Sequence, residues 1–277
     1  MPARALPLQR ADARPDRAEL PADYAALHGE ALKRLHAVMA LPAHQWEKRA
    51  ADGCVSISLI MPPGSPHVLV RTEATINMAP ERVFAFYMVR AAQPSCCSVR
   101  LAARTAPHAS RALISRPQRN PQLEKNMLRW APDVTSREVV RVSPAAAVQH
   151  ATYRMPPPLD DRDVCVYRAS LPGEATRLPG CVRATMAVSI DHDLCGPSLK
   201  GVVRAEVLIS STCFVAISGS PNRTLVVSFQ HADPRGRIPP AFVARSVGQG
   251  SDHLKAVRVD LNALAAMEAR AAAKAVK

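Results

Sequence analysis

Between Val55 and His231 apolar residues return at every second position, in one segment after another. Period-two patterning of this kind calls for β-strands that bury one face. Val55, Ile57 and Leu59 alternate with Ser56 and Ser58. After a Gly64-Ser65-Pro66 turn, Val68, Val70, Thr72, Ala74 and Ile76 continue the pattern, with Arg71 and Glu73 facing the other way. Strand-like runs follow at Val139–Val142, Val148–Tyr153, Val164–Tyr167, 182–190, 202–209 and 224–231. Val182, Ala184, Met186, Val188 and Ile190 share one face, as do Leu225, Val227 and Phe229. Within 202–209, Arg204 and Glu206 share a face and are expected to brace one another.

Helical periodicity is concentrated near the two ends. Residues 21–40 carry apolar side chains three or four apart, and Pro42 closes that helix. Pro80 opens a short helix with Val83, Phe84, Phe86 and Tyr87 as its apolar face. After Pro239-Pro240, Val243, Val247, Gly250, Leu254, Val257, Leu261 and Leu264 step by four and three along one stripe. Gly248 and Gly250 weaken its middle by about 1 kcal/mol each relative to Ala. Strands covered by a long terminal helix predict an α+β fold with a mainly antiparallel sheet.

Residues 1–20 are rich in Pro, Arg and Asp and read as a disordered tail. Arg4, Arg10, Arg14 and Arg17 suggest a mitochondrial presequence, but Asp12, Asp16, Glu19 and three prolines spoil the acid-poor amphipathic helix it requires. Residues 21–270 read as a single domain, with a basic insertion at about 91–129. The insertion carries Arg100, Arg104, Arg111, Arg116, Arg119, Lys125 and Arg129 against Glu124 alone. No apolar run approaches the ~20 residues of a membrane-spanning helix.

The net charge of +13 suits a phosphate-bearing partner. Aromatic residues are only 4% and lie mostly in hydrophobic segments. An anionic membrane surface is therefore expected, and nucleic acid is not. The seven cysteines form no C-x-x-C pair and no zinc-spaced cluster, so reduced, buried thiols in a cytoplasmic protein are expected. Asp191, His192 and Asp193 read as a solvated loop rather than a metal site. His150 and Ser210-Ser211 lack a nucleophile-elbow pattern. No cofactor, metal or catalytic set is expected.

Three segments carry a more specific signal: Met155-Pro-Pro-Pro-Leu-Asp-Asp-Arg-Asp-Val164, Lys200-Gly-Val-Val-Arg-Ala-Glu206 and Asp233-Pro-Arg-Gly-Arg-Ile-Pro239. In order and spacing they resemble motifs of the START (StAR-related lipid transfer) domain family. Thr212-Cys213 and Ser218-Gly-Ser-Pro221 resemble the steroidogenic acute regulatory subgroup. The resemblance spans about residues 40–265. It implies a helix-grip fold, in which a curved antiparallel sheet wraps around the long C-terminal helix and encloses a hydrophobic tunnel. It also implies a single lipid guest of the sterol, phospholipid or sphingolipid class, carried between membranes or sensed. A monomer is expected. A gate is implied at the final helix and the Met155–Asp161 loop.

Arg162 matches the arginine of the first motif, and Arg168 shares a strand face with Val164 and Val166. These two arginines are candidate lipid contacts, with Phe242, Val243, Val247, Leu254 and Val257 as tunnel wall. The chain departs from the family at Arg237, where a tryptophan is usual, and at Ala131, where an aspartate is usual. Sterol-binding members pair the buried arginine with an acid in the preceding strand, yet 148–153 contains none. An arginine without a carboxylate inside a tunnel is costly. Either Arg168 points outward, or Gln149, His150 or a lipid phosphate satisfies it. Two alternatives are an enzyme on the same scaffold, of cyclase or thioesterase type, and a protein-interaction module using the basic insertion.

Overall fold

The computed structural model describes residues 22–51, 55–92, 133–236, 238 and 240–275. The expected tail at 1–20, most of the insertion at 91–129, and the departures at Ala131 and Arg237 lie outside the described residues.

In chain order the helices are α1 (Ala22–Met39), α2 (Pro80–Ala92) and α3 (Pro240–Ala275). The strands are β1 (Glu47–Ala51), β2 (Val55–Ile60), β3 (Leu69–Ile76), β4 (Val134–Ser143), β5 (Ala146–Tyr153), β6 (Asp161–Pro172), β7 (Cys181–Ser189), β8 (Val202–Arg204), β9 (Glu206–Ile217) and β10 (Ser220–Asp233). The described strands form one sheet in the order β1-β2-β3-β10-β9-β7-β6-β5-β4. All neighbours on that path are antiparallel, while β8 pairs parallel to β6 beside it. This is the large curved antiparallel sheet with a C-terminal helix expected of a helix-grip fold.

The run expected over 202–209 divides at Ala205. Its backbone N–H donates to Asp163 O (2.9 Å), so β8 is docked on β6 before β9 begins. Arg204 and Glu206 consequently part company. Arg204 Nε donates to Asp163 Oδ1 at 2.8 Å, and Glu206 Oε2 accepts from Arg235 Nη2 at 2.7 Å. The expected mutual brace is replaced by two separate ion pairs.

The helices sort the sheet into two faces. α1 covers the outer face, burying Ala31, Leu35 and Val38 against Tyr167, Leu171, Met186, Ile209 and Val215. Tyr24 stacks on Tyr167 at 5.9 Å, and the Tyr167 hydroxyl shares a 3.0 Å hydrogen bond with His28 Nδ1. Burial, reinforced by Tyr24, pushes the Tyr167 phenol up to about 12. The apolar stripes at 182–190 and 224–231 thus face α1.

α2 and α3 cover the inner face. Leu254, Val257 and Leu261 pack with Val55, Ala74, Ile76, Phe214 and Val226. Phe84 and Tyr87 of α2 each meet the Phe214 ring edge-on at 5.5 Å. The later part of α3 is tied to the β3–α2 corner. Arg258 Nε donates to Thr75 O (2.9 Å), Asn262 Oδ1 accepts from Asn77 N (2.7 Å), and Arg82 pairs with Glu268 (2.6 Å). Gly248 and Gly250 lie within the continuous helix.

Candidate lipid-binding site

Strand register decides what faces α2 and α3. Arg168 pairs across the sheet with Ala147 on one side and Ala187 on the other, and Val166 pairs with Gln149 and Ser189. These residues occupy the inner face, because side chains alternate along a strand. Against this wall lies a hollow of about 60 Å³, lined by Arg168, Gln149, Ala147, Ser170, Val139 and Arg141, with Met88 of α2 above. Alanines at 145, 146 and 147 leave the space open, since each contributes only a methyl group.

Arg168 therefore points inward. Protein surrounds it, yet it keeps some accessible surface because it borders the hollow. Burial lowers its pKa, and the Arg137 charge lowers it further, although Tyr87 and Tyr153 act in the opposite sense. Arginine nevertheless stays protonated in proteins. Among the described residues Arg168 has neither a hydrogen bond nor an ion pair. His150 does not serve it, being on the opposite face with its Nε2 donating to Asp163 Oδ2 at 2.9 Å. Gln149 borders the same hollow and is itself only 6% exposed.

Arg162 is placed differently. It lies at the end of β6, and its Nε and Nη2 donate to the carbonyls of Pro234 (2.8 Å) and Arg235 (3.1 Å). Nη1 donates to Asp160 O. The guanidinium thus joins the Met155–Asp161 loop to the third motif. Gly236 has φ +71°, and a Cβ there would approach Arg162 Nη2 to 3.3 Å, so glycine suits both the turn and the clamp. The Met155 N–H donates to Asp161 Oδ1 (3.0 Å), which closes the loop from its other end.

Leu254 and Val257 are each 2% exposed. They pack with Val55, Ala74, Ile76, Phe214 and Val226, and neither lines the hollow. Phe242, Val243 and Val247 fall on α3, and their side chains lie outside the described residues.

Sequence reasoning missed three features. A cross-strand row of hydroxyl residues, Ser170, Thr185, Thr212, Ser228 and Thr72, runs over the inner face. Thr212 Oγ1 and Ser228 Oγ lie 3.5 Å apart, and Ser170 Oγ donates to Ala145 O at 3.3 Å. Five separate strands supply the row, so only register reveals it. The second feature is Asp163, 3% exposed, which accepts from both Arg204 and His150. Burial alone would raise its pKa. The two hydrogen bonds and the two charges outweigh that and hold it below the usual value.

The third is a disulfide between Cys165 and Cys195, with Cα atoms 5.9 Å apart. It corrects the free-thiol expectation for these two residues. β6 and the 193–195 turn bring them together, as Ile190 N donates to Cys165 O (3.0 Å). Disulfides persist mainly in oxidising surroundings. Cys181 and Cys213 carry free thiols. Among the described residues no three His, Cys, Asp or Glu side chains gather as a metal site, and no helix is long and apolar enough to cross a membrane.

A helix-grip sheet with the Arg162 clamp at one end of β6 and a hollow beside Arg168 invites comparison with known families. The START domain family model matches residues 116–259. The chain belongs to the START domain family. Lipid binding in the general sense comes with that membership. Human StAR-related lipid transfer protein 5 is similar in fold, with a TM-score of 0.58 at 18% identity, over 85% of this chain and 97% of that one. The lipid transfer and protein localization domain of human StarD13 gives 0.54 at 15% identity, over 88% and 98% of the two chains. A STAR-related lipid transfer protein from Xanthomonas axonopodis gives 0.52 at 19% identity, over 78% and 98%. No curated protein sequence matches the chain.

Proposed function

We propose that this START domain encloses one lipid molecule between its inner sheet face, α2 and α3, and transfers it between membranes or senses it. The observation that carries the reading is the START family match over residues 116–259 on a helix-grip sheet. The hollow beneath α2, with inward Arg168 on its wall and unpaired among the described residues, supports a polar contact there. Moving a lipid through water exposes ~0.8 kcal/mol of unfavourable free energy per CH₂, so a carrier must enclose its guest. The guest falls within the sterol, phospholipid and sphingolipid classes.

Arg168 contacts the guest's polar end. Phe242, Val243 and Val247, on the glycine-weakened first half of α3, form the movable wall, while Leu254 and Val257 anchor the second half. Arg162 braces the gate loop and does not touch the guest. The +13 charge and the basic insertion draw the protein to anionic bilayers. Residues 21–270 act as one domain, as a monomer and without a catalytic step.

The test is organic extraction of the purified chain followed by mass spectrometry, paired with a liposome-to-liposome transfer assay. Stoichiometric lipid and transfer above the spontaneous rate are expected. Recovery of no lipid, together with no transfer, would remove the reading.

A further inference from the structure

Arg168 has a companion on the same row. Arg141 of β4 pairs with Ala147 of β5, and Ala147 pairs with Arg168 of β6. One methyl group is all that separates the two arginines across the inner face. Both line the hollow, Arg168 deep in its wall and Arg141 at its exposed mouth. Arg137 lies four residues before Arg141, hence on the same face of β4. It is near enough for its charge to act on Arg168. The Arg137 Nε is buried without an acceptor.

Among the described residues none of these three guanidiniums has a hydrogen bond or an ion pair. The neighbouring acids are engaged or turned away. Asp163 lies on the outer face with Arg204 and His150. Asp161 accepts from Met155 N at the sheet's end. Glu138 is exposed, in register with outer-face His150. Glu81 is exposed in the first turn of α2. β5 contributes no acid. Gln149, more than nine-tenths buried, faces the same hollow and has no side-chain partner among the described residues.

Arg168, set in an alanine and valine wall with Arg137 and Arg141 on the same face and no acid beside it among the described residues, is unfavourable unless an anion joins it. Guanidinium forks match the planar or tetrahedral oxygens of carboxylate and phosphate, and such charge-assisted bonds are about twice as strong as neutral ones. We propose that the guest is an anionic amphiphile, whose terminal oxyanion is bridged by Arg168 and Arg141, with the Gln149 amide as a further donor. This rests on the lipid-carrier reading and narrows it: a neutral alcohol head, as on a sterol, leaves the arginines unmatched.

The experiment uses delipidated full-length chain and isothermal titration with four probes: hexadecanoate, hexadecyl phosphate, hexadecanol and cholesterol. Inorganic phosphate serves as a tail-free competitor. At least one of the two anions is expected to bind tenfold or more tighter than hexadecanol, and the tighter of them tells carboxylate from phosphate. Arg168→Gln and, separately, Arg141→Gln should erase most of that difference between the anions and hexadecanol. Because Arg141 is exposed, its variant folds independently of any core effect.

Equal affinity for hexadecanol or cholesterol and for the anions overturns the anionic guest but leaves the lipid carrier standing. Failure of all four probes, with no co-purifying lipid, overturns both. Competition by inorganic phosphate at the affinity of hexadecyl phosphate overturns the amphiphile and assigns the site to a free anion.

Discussion

Replacing Arg168 by methionine is expected to stabilise the delipidated protein. Most buried charges are held by partners, and removing one of a pair destabilises by roughly 3–5 kcal/mol. Among the described residues Arg168 has no partner to orphan, so deletion of its charge relieves a desolvation penalty instead. A fully enclosed ion carries an effective penalty of several kcal/mol. Arg168 is only half-buried and borders a hollow of about 60 Å³, which has room for a few waters. That hydration reduces the gain to about 1–2 kcal/mol. Methionine keeps the length of the stem, so repacking costs little. At roughly 2–4 °C per kcal/mol for a domain of this size, Tm should rise by about 2–8 °C. Circular dichroism melts of delipidated Arg168→Met and Arg168→Lys proteins provide the assay, with the lysine variant, which keeps the charge, showing no comparable gain. A methionine variant that melts lower than the parent would mean that Arg168 is paired in the folded protein. The account of the site would then be wrong.

Other predictions concern the surroundings of the site. Asp163→Asn should destabilise by about 3–5 kcal/mol, because it weakens a buried carboxylate joined to Arg204 and His150. The Asp163 pKa is depressed in the folded protein, so its contribution is complete above the unfolded value of ~3.9 and is lost as pH falls through the lower, folded value. Acid titrations of parent and variant should therefore converge below pH ~4. Leu254→Ala should cost about 3–5 kcal/mol in denaturant melts, since a 2% exposed leucine leaves a cavity; a loss under ~1 kcal/mol would make it chamber wall instead of core. Cys181 should be alkylated by iodoacetamide with a midpoint near its lowered pKa of about 7; the main cause is a hydrogen bond from Cys213, so Cys213→Ala should move the midpoint toward ~8.5. Cys195→Ala should cost about 2–4 kcal/mol where the Cys165–Cys195 bond forms, and peptide mapping without reductant reads directly whether it does in the native compartment.

The fold was legible because its signals are local. Period-two runs identified most strands, Pro80 and Pro42 marked helix ends, and the α3 stripe was visible through two glycines. β1 escaped because Glu47-Lys-Arg-Ala-Ala51 has no alternation, as befits a half-exposed edge strand. The break at Ala205 escaped because nothing in Val203-Arg-Ala-Glu206 shows that a backbone hydrogen bond to a distant strand would divide the run. Non-local pairing likewise decided the fate of each charged residue. The spacing of Arg204 and Glu206 suggested a pair, but sheet register gave each a different partner.

The site was readable in its residues but not in its logic. The missing acid in 148–153 left four possibilities for Arg168: an outward orientation, Gln149, His150 or a lipid phosphate. Register removes two of them: Arg168 faces inward beside Ala147, and His150 lies across the sheet with Asp163. Gln149 offers a neutral amide, which cannot balance a guanidinium, still less Arg141 and Arg137 beside it. In a chain of net charge +13 the sequence singled out Arg168 as a candidate lipid contact but gave no signal for Arg141 and Arg137 beside it. Strand order turns Arg168 and Arg141 toward one alanine-lined hollow, with Arg137 on the same face of β4, and the proposed anion answers their shared sign. The same physics sets the specificity expected of the proposed site: with no acid beside Arg168 among the described residues, a guest without negative charge leaves its guanidinium as unmatched as no guest does.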